Sequence, residues 1–212
     1  MSEHVVSCPD HWSSGSIFDL YDSMISEVQI KIPEVLHRLA EVLCQYLNAE
    51  RATIFLIDNA THELQSAAFI GNVSREIRIP ITNNSLAGFC ALSGRAFVVP
   101  DAYGDLSPID LRLQFDKTWD EINRFRTRDV MCAPVCFKKQ VIGVAEVMNS
   151  REHPFSEENL PQLQSIARLV GYVLYHARLL DDLATLKRLE QEKATFMRIM
   201  VHELKAPVTA AK

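Results

Sequence analysis

No stretch of this 212-residue chain is apolar for long enough to cross a bilayer. Its most apolar runs, Val141–Met148 and Leu169–Tyr175, fall far short of the roughly 18 residues that a span requires. The opening segment MSEHVVSCPDHWSSG is polar and lacks the basic-then-apolar order of a secretory signal. Together these absences predict a cytoplasmic protein without membrane contact. Basic charge is scarce as well. There are 22 Lys and Arg against 27 Asp and Glu, a net charge of -5, and no basic stripe, which argues against a nucleic-acid partner. Glycine is rare, seven in all, and no loop resembles one that cradles phosphates. The five cysteines (Cys8, Cys44, Cys90, Cys132, Cys136) are odd in number and irregularly spaced. They read as free thiols of a reducing compartment rather than a disulfide framework. What is present is ordinary: 48% hydrophobic and 23% charged residues, enough chain for one domain with a core and an appendage.

Residues 1–16 carry no periodicity and read as disordered. An amphipathic helical pattern starts at Ile17 and runs through Leu20, Met24 and Val28, predicting a helix over 17–31; it resumes at Val35, Leu36, Leu39, Leu43 and Leu47. Pro33 interrupts it. A proline inside a helix costs about 3 kcal/mol, so a break is expected near Ile32, where the main domain begins. Ala52–Ile57 and Glu63–Phe69, joined by the turn signal Asp58-Asn59, predict a hairpin, and the alternation over Glu76–Ile81 predicts another strand. Ser85 stands as an N-cap before a short helix Leu86–Ser93, which Gly94 stops. A strand Ala96–Val99 follows. Tyr103–Arg126 mixes turn residues with Leu111, Leu113, Phe115, Trp119, Ile122 and Phe125, predicting a loop with a short helix that covers one face. Asp129–Phe137 and Val141–Asn149 predict a second hairpin.

From Ser156 almost nothing breaks a helix before Pro207. Ser156 is the cap, and Glu157 and Glu158 suit the first-turn dipole. Leu160, Leu163, Ile166, Val170 and Val173 predict packing on a sheet. Beyond His176 the apolar stripe narrows to Leu179, Leu183, Leu186, then Glu190, Lys193, Met197 and Met200, a heptad-like spacing. A helix of about 50 residues spans about 75 Å, more than one domain can cover. Its second half therefore calls for a partner, most simply the same helix of a second copy in a parallel coil. Glu190 and Lys193 weaken that seam. They are either a quirk of register or a means of keeping the coil marginal so that a signal can shift it.

The order of elements, with RATIFLID at 51–58, SLAGFCALSGRAFVVPDAY at 85–103, DVMCAPVCFKKQVIGVAEVMN at 129–149 and FSEENLPQLQSIARLVGYVL at 155–174, resembles the GAF family of sensory domains over roughly residues 32–176. The resemblance implies an α+β fold: an antiparallel sheet with helices on one face and, on the other, a ligand pocket roofed by residues 101–128. The long C-terminal helix then carries a coil over 177–195. FMRIMVHELKAPVTAAK at 196–212 resembles the phosphoacceptor box of sensor histidine kinases, H-E-[LF]-[KR]-x-P-[LV], at His202-Glu203-Leu204-Lys205-Ala206-Pro207-Val208. That likeness implies a two-component phosphorelay. His202 would accept phosphate, Glu203 would orient or deprotonate it, and the partners would be a second copy and a response-regulator receiver. ATP would be used by a catalytic domain that this stretch does not contain, so the chain alone is expected to be inactive as a kinase. A carboxylate beside the imidazole can take its second N–H and fix the tautomer. Pro207 removes the N–H that would bond the Glu203 carbonyl and softens the helix there. Kinases of this type that also dephosphorylate their partner commonly carry Thr or Asn where this chain has Ala206, so weak phosphatase activity is expected.

The stimulus is less legible. Ser85 and the N–H groups of residues 86–88 offer either an anion site or ordinary capping. Phe89, Phe115 and Trp119 either line a pocket or pack the core. Cys90 and Cys132 either pack or face the pocket, the latter opening a thiol-reductase or redox-sensing alternative; a ligand-free dimerisation module is a third. Cys132 and Cys136 are about 13 Å apart on a strand, too far to share one zinc ion, and no metal site is expected. His62, His153 and His176 are either haem ligands or ordinary surface histidines. Cyclic-nucleotide-binding relatives carry an Asn-Lys…Phe-x-x-x-Asp-Glu pattern. Asn149 and Phe155 match it, whereas Ser150, Asn159 and Leu160 do not, which puts such binding in doubt.

Overall fold

The computed structural model describes residues 31–71 and 76–209, the last eight by their backbone alone. The expectations for residues 1–16 and 17–30 lie outside the described residues. Helix α1 (Ile32–Tyr46) begins where the break was expected, with Pro33 in its first turn, where the missing N–H costs nothing. Strands β1 (Ala49–Asp58) and β2 (Glu63–Ile70) form the first hairpin. Its turn is held by Asp58, whose carboxylate accepts the Ala60 N–H at 2.9 Å. β3 (Arg78–Pro80) is shorter than the alternation suggested, and α2 covers Leu86–Ser93. β4 (Phe97–Val99) is followed by the roof segment with α3 (Thr118–Asn123), then by β5 (Val130–Phe137) and β6 (Gln140–Ser150). A 3-10 turn (Glu157–Asn159), capped by Ser156, leads into α4 (Leu160–Thr209), 50 residues that continue past Pro207.

All strands are antiparallel, in the order β3-β2-β1-β6-β5-β4. Strand alternation divides the core in two. Ile54, Met131, Ala133 and Val147 face α1 and the first turns of α4, against Leu36, Leu39, Leu43, Leu163, Ile166 and Val170. Phe55, Val130, Cys132 and Val144 point the other way, against α2 and the roof residues Leu106 and Leu113. Each such large side chain taken out of water stabilises the fold by about 1.5–3 kcal/mol. The helices are thus not confined to one face: α1 and α4 pack on one side, while α2 and α3 belong to the roof side. Among the described residues no helix is long and apolar enough to cross a membrane.

Candidate functional site: the roofed interior and the outgoing helix

The roof, residues 101–128, rests on the core through Ala102, Leu106 and Leu113 and is pinned in addition by polar contacts. Ala102 N–H donates to the Arg128 carbonyl at 2.6 Å. Asp120, on α3 and buried, accepts the Tyr103 hydroxyl at 3.0 Å and both the N–H and the hydroxyl of Thr127 at 2.7 Å. At its far end Asn149, in the left-handed conformation (φ 57), accepts Arg128 N–H at 2.7 Å and donates to the Arg126 carbonyl at 2.9 Å and to Glu50 at 3.0 Å. Asp129 accepts the N–H groups of Ser150 (3.2 Å) and Phe155 (2.9 Å). One short knot therefore fixes the end of the roof, the end of β6 and the entry to α4. Asn149 and Phe155 work here as parts of that knot.

The roof is cut by an open cleft of about 310 Å³, walled by Tyr103, Ser107, Leu111, Phe115 and Lys117. Its floor includes Ala102, Leu106 and Leu113, all members of the roof-side core. Beneath the roof the sheet is mostly apolar, but Glu146 of β6, only 4% exposed, sits between Cys132 of β5 and the buried Thr53 of β1. The Cys132 thiol donates to it at 3.5 Å. Burial pushes the Glu146 carboxyl up to about 7, and the negative charge of Asp120 adds to the rise. Arg51 of β1 lays its guanidinium 3.4 Å from the centre of the Phe125 ring, tying roof to sheet.

The residues singled out in the sequence fall in different places. Phe115 walls the cleft and meets Tyr103 edge-on at 5.3 Å. Trp119 packs on the roof-side core. Phe89 is buried edge-on against Phe97 at 5.6 Å. Ser85 caps α2, its hydroxyl accepting the Gly88 N–H at 2.9 Å. A Cβ at Gly88 would strike the Pro80 and Thr82 carbonyl oxygens, so oxygen acceptors already crowd this helix start, and the arrangement favours capping over an anion site. Cys90 donates to the Arg95 carbonyl at 3.3 Å. Burial first, and then the Glu146 carboxylate, push the Cys90 and Cys132 thiols far up, which withholds the thiolate that redox chemistry needs. His62, His153 and His176 are exposed, and none faces the interior. Among the described residues no His, Cys, Asp and Glu group has a geometry that would hold a metal. His202 and Glu203 lie on the backbone of α4; their side chains are outside the described residues. Sequence reasoning missed Glu146, Asp120, Tyr103 and Arg51. Only Glu146 announced itself, as the one charge inside VIGVAEVMN.

Comparison with known proteins fits this geometry. The chain is 21% identical over 201 residues to the probable 3',5'-cyclic phosphodiesterase pde-5 of Caenorhabditis elegans, covering 89% of this chain and 26% of that protein. It is 25% identical over 182 residues to the dual 3',5'-cyclic-AMP and -GMP phosphodiesterase 11 of Drosophila melanogaster, covering 78% and 12%. The chain thus spans about a quarter or less of these curated relatives. Among solved structures, residues 122 to 287 of a methyl-accepting chemotaxis protein share the fold with a TM-score of 0.62 and 19% identity, covering 76% of this chain and 98% of that one. Free methionine-R-sulfoxide reductase from Neisseria meningitidis does so with 0.61 and 19%, covering 76% and 87%. Residues 31–174 match the GAF domain, and with more than half its length in that match the chain belongs to the GAF domain family, whose members are small-ligand sensing modules.

Proposed function

We propose that this chain is the sensory input region of a two-component sensor histidine kinase. In this reading residues 32–176 bind a small ligand beneath the roof, residues 177–195 form a parallel coil with a second copy, and residues 196–212 begin the phosphoacceptor domain, with His202 the acceptor and Glu203 its orienting base. The carrying observation is α4. It is one unbroken helix whose first turns are buried against the sheet and whose last turns bear the His202–Val208 box. A rigid element of that kind turns a small displacement of the body into a displacement at its far end. Ligand binding can drive that movement only by as much as its affinity differs between the two arrangements. A catalytic domain elsewhere binds ATP and passes its γ-phosphate to His202, releasing ADP, and a receiver domain in the cytoplasm takes the phosphate. The thiol-enzyme alternative is disfavoured by the depressed acidity of Cys90 and Cys132.

The test is direct. The full-length protein bearing this chain, incubated with γ-labelled ATP, is expected to acquire acid-labile, alkali-stable label that His202→Gln abolishes. Label undiminished in His202→Gln would end the kinase reading. Mass spectrometry of the freshly purified protein addresses the ligand separately.

A further inference from the structure

The body releases α4 over a short stretch. Val170 is fully buried, Val173 nearly so, Leu174 still leans on the core, and His176 is already exposed. In those last turns two contacts tie the helix to the tip of the β5–β6 hairpin. Gly171 lies so close to the Cys136 carbonyl that a Cβ there would collide with it. Tyr175 stacks on Phe137, ring centres 3.7 Å apart and planes 12° from parallel. Lys138, at the turn in the left-handed conformation (φ 54), sets its ammonium 5.4 Å from the Phe137 ring. A register shift between Val135 and Cys136 frees this tip from the regular ladder. Strand β5 also carries Cys132, beside Glu146 on the interior floor, five residues or about 16 Å upstream of Phe137.

We propose that the Phe137–Tyr175 stack, backed by the Gly171–Cys136 contact, is the joint through which the roofed interior moves the outgoing helix. This deepens the transmission step proposed above, but it concerns how the body grips the helix and does not require His202 to be a phosphoacceptor. Two features suit a joint. The tip grips α4 in its last turns before His176, where the helix surface becomes exposed. A single aromatic pair shifts an equilibrium by only about two- to tenfold, so it can be made and broken.

Amide hydrogen exchange on the full-length protein tests this. Tyr175→Ala and Phe137→Ala are expected to speed exchange over residues 172–182 at least threefold, while Tyr175→Phe, which keeps the ring, leaves it near wild type. Thermal melts of the same variants verify that the sheet remains folded. Glu146→Gln, a change confined to the floor, is expected to alter exchange over residues 176–186, and that effect should vanish when Tyr175→Ala is added. Unchanged exchange in Tyr175→Ala overturns the joint. So does a Glu146→Gln effect that is absent from the start, or one that persists at full size in the double variant. Because exchange does not read phosphate, loss of the kinase assignment would leave this result standing.

Discussion

The body and the rod of this molecule are built by opposite rules. In the body the large apolar side chains disappear from water: Leu39, Leu43, Ile54, Leu163 and Ile166 are essentially inaccessible. Along α4 beyond His176 the same residue types stay out. Leu179, Leu183, Leu186, Leu189, Phe196 and Met197 are each between 41% and 59% exposed. A lone helix of that length gains little from propensity, and such a stripe belongs against something else. Leu179, Leu183, Leu186, Met197 and Met200 fall on a 3.5-residue repeat that Glu190 and Lys193 interrupt, and such a repeat on a 3.6-residue helix favours a left-handed coil. The body buries its large side chains within one copy, while those of the rod stay exposed. In the function proposed above, that difference would let one part hold a ligand while the other reports on it.

The largest expected effects separate the two. Leu163→Ala removes a fully buried side chain where α4 meets the sheet. It should cost about 2–5 kcal/mol and lower the melting temperature of the body by roughly 10 °C. Leu186→Asp, made where the side chain is 59% exposed, should leave that melt within a degree or two yet abolish self-association in sedimentation experiments. A body that melts early in Leu186→Asp would show that the rod supports the fold, and the distinction would collapse.

Next in size is pH. Glu146 is buried with its carboxyl raised from 4.5 to about 7, so the folded state holds this proton more tightly than the unfolded chain does. Its contribution to stability is complete below pH 4.5, declines as pH rises between there and about 7, and above 7 the folded state bears the full cost of a buried carboxylate, on the order of 3 kcal/mol. Glu146→Gln should flatten this part of the stability profile. Chemical denaturation at pH 5 and pH 8, in wild type and variant, measures it. An equal slope in both would mean that the carboxylate finds water or a cation when charged. The rod's charged side chains are exposed, so its association should respond to salt more than to Glu146.

Much of the body was legible because its signals are local. The apolar runs and turn signals of the two hairpins, the Ser85 cap and the Ser156 start each act within a few residues, and the elements lie where those signals point. Strand β3 came out short because its pairing with β2 is limited to Glu63–Gln65, a tertiary fact that propensity does not contain. The site was legible only at its edges. Phe115 walls the cleft as one reading had it, but the roof is organised by Asp120, whose three hydrogen bonds join residues 7 and 17 positions away across turns with no periodic pattern. The cysteines drew attention by their chemistry, and their burial then removed it.

The smallest effect tests whether the roof side can be loosened without touching the rod. Ser85 gives α2 one hydrogen bond, to Gly88, at a helix start already crowded by the Pro80 and Thr82 carbonyls. Ser85→Ala leaves the Gly88 N–H without that acceptor and should cost about 1 kcal/mol, two to four degrees of melting temperature. Ser85→Asp keeps an acceptor and adds a charge suited to the helix dipole, so it should recover most of the loss if the role is capping. If the start of α2 instead served to bind an anion, the aspartate would repel that ligand and the two variants would separate in the opposite order when an anionic ligand is present. Self-association should be unchanged in both, because α2 lies on the face of the sheet opposite α4.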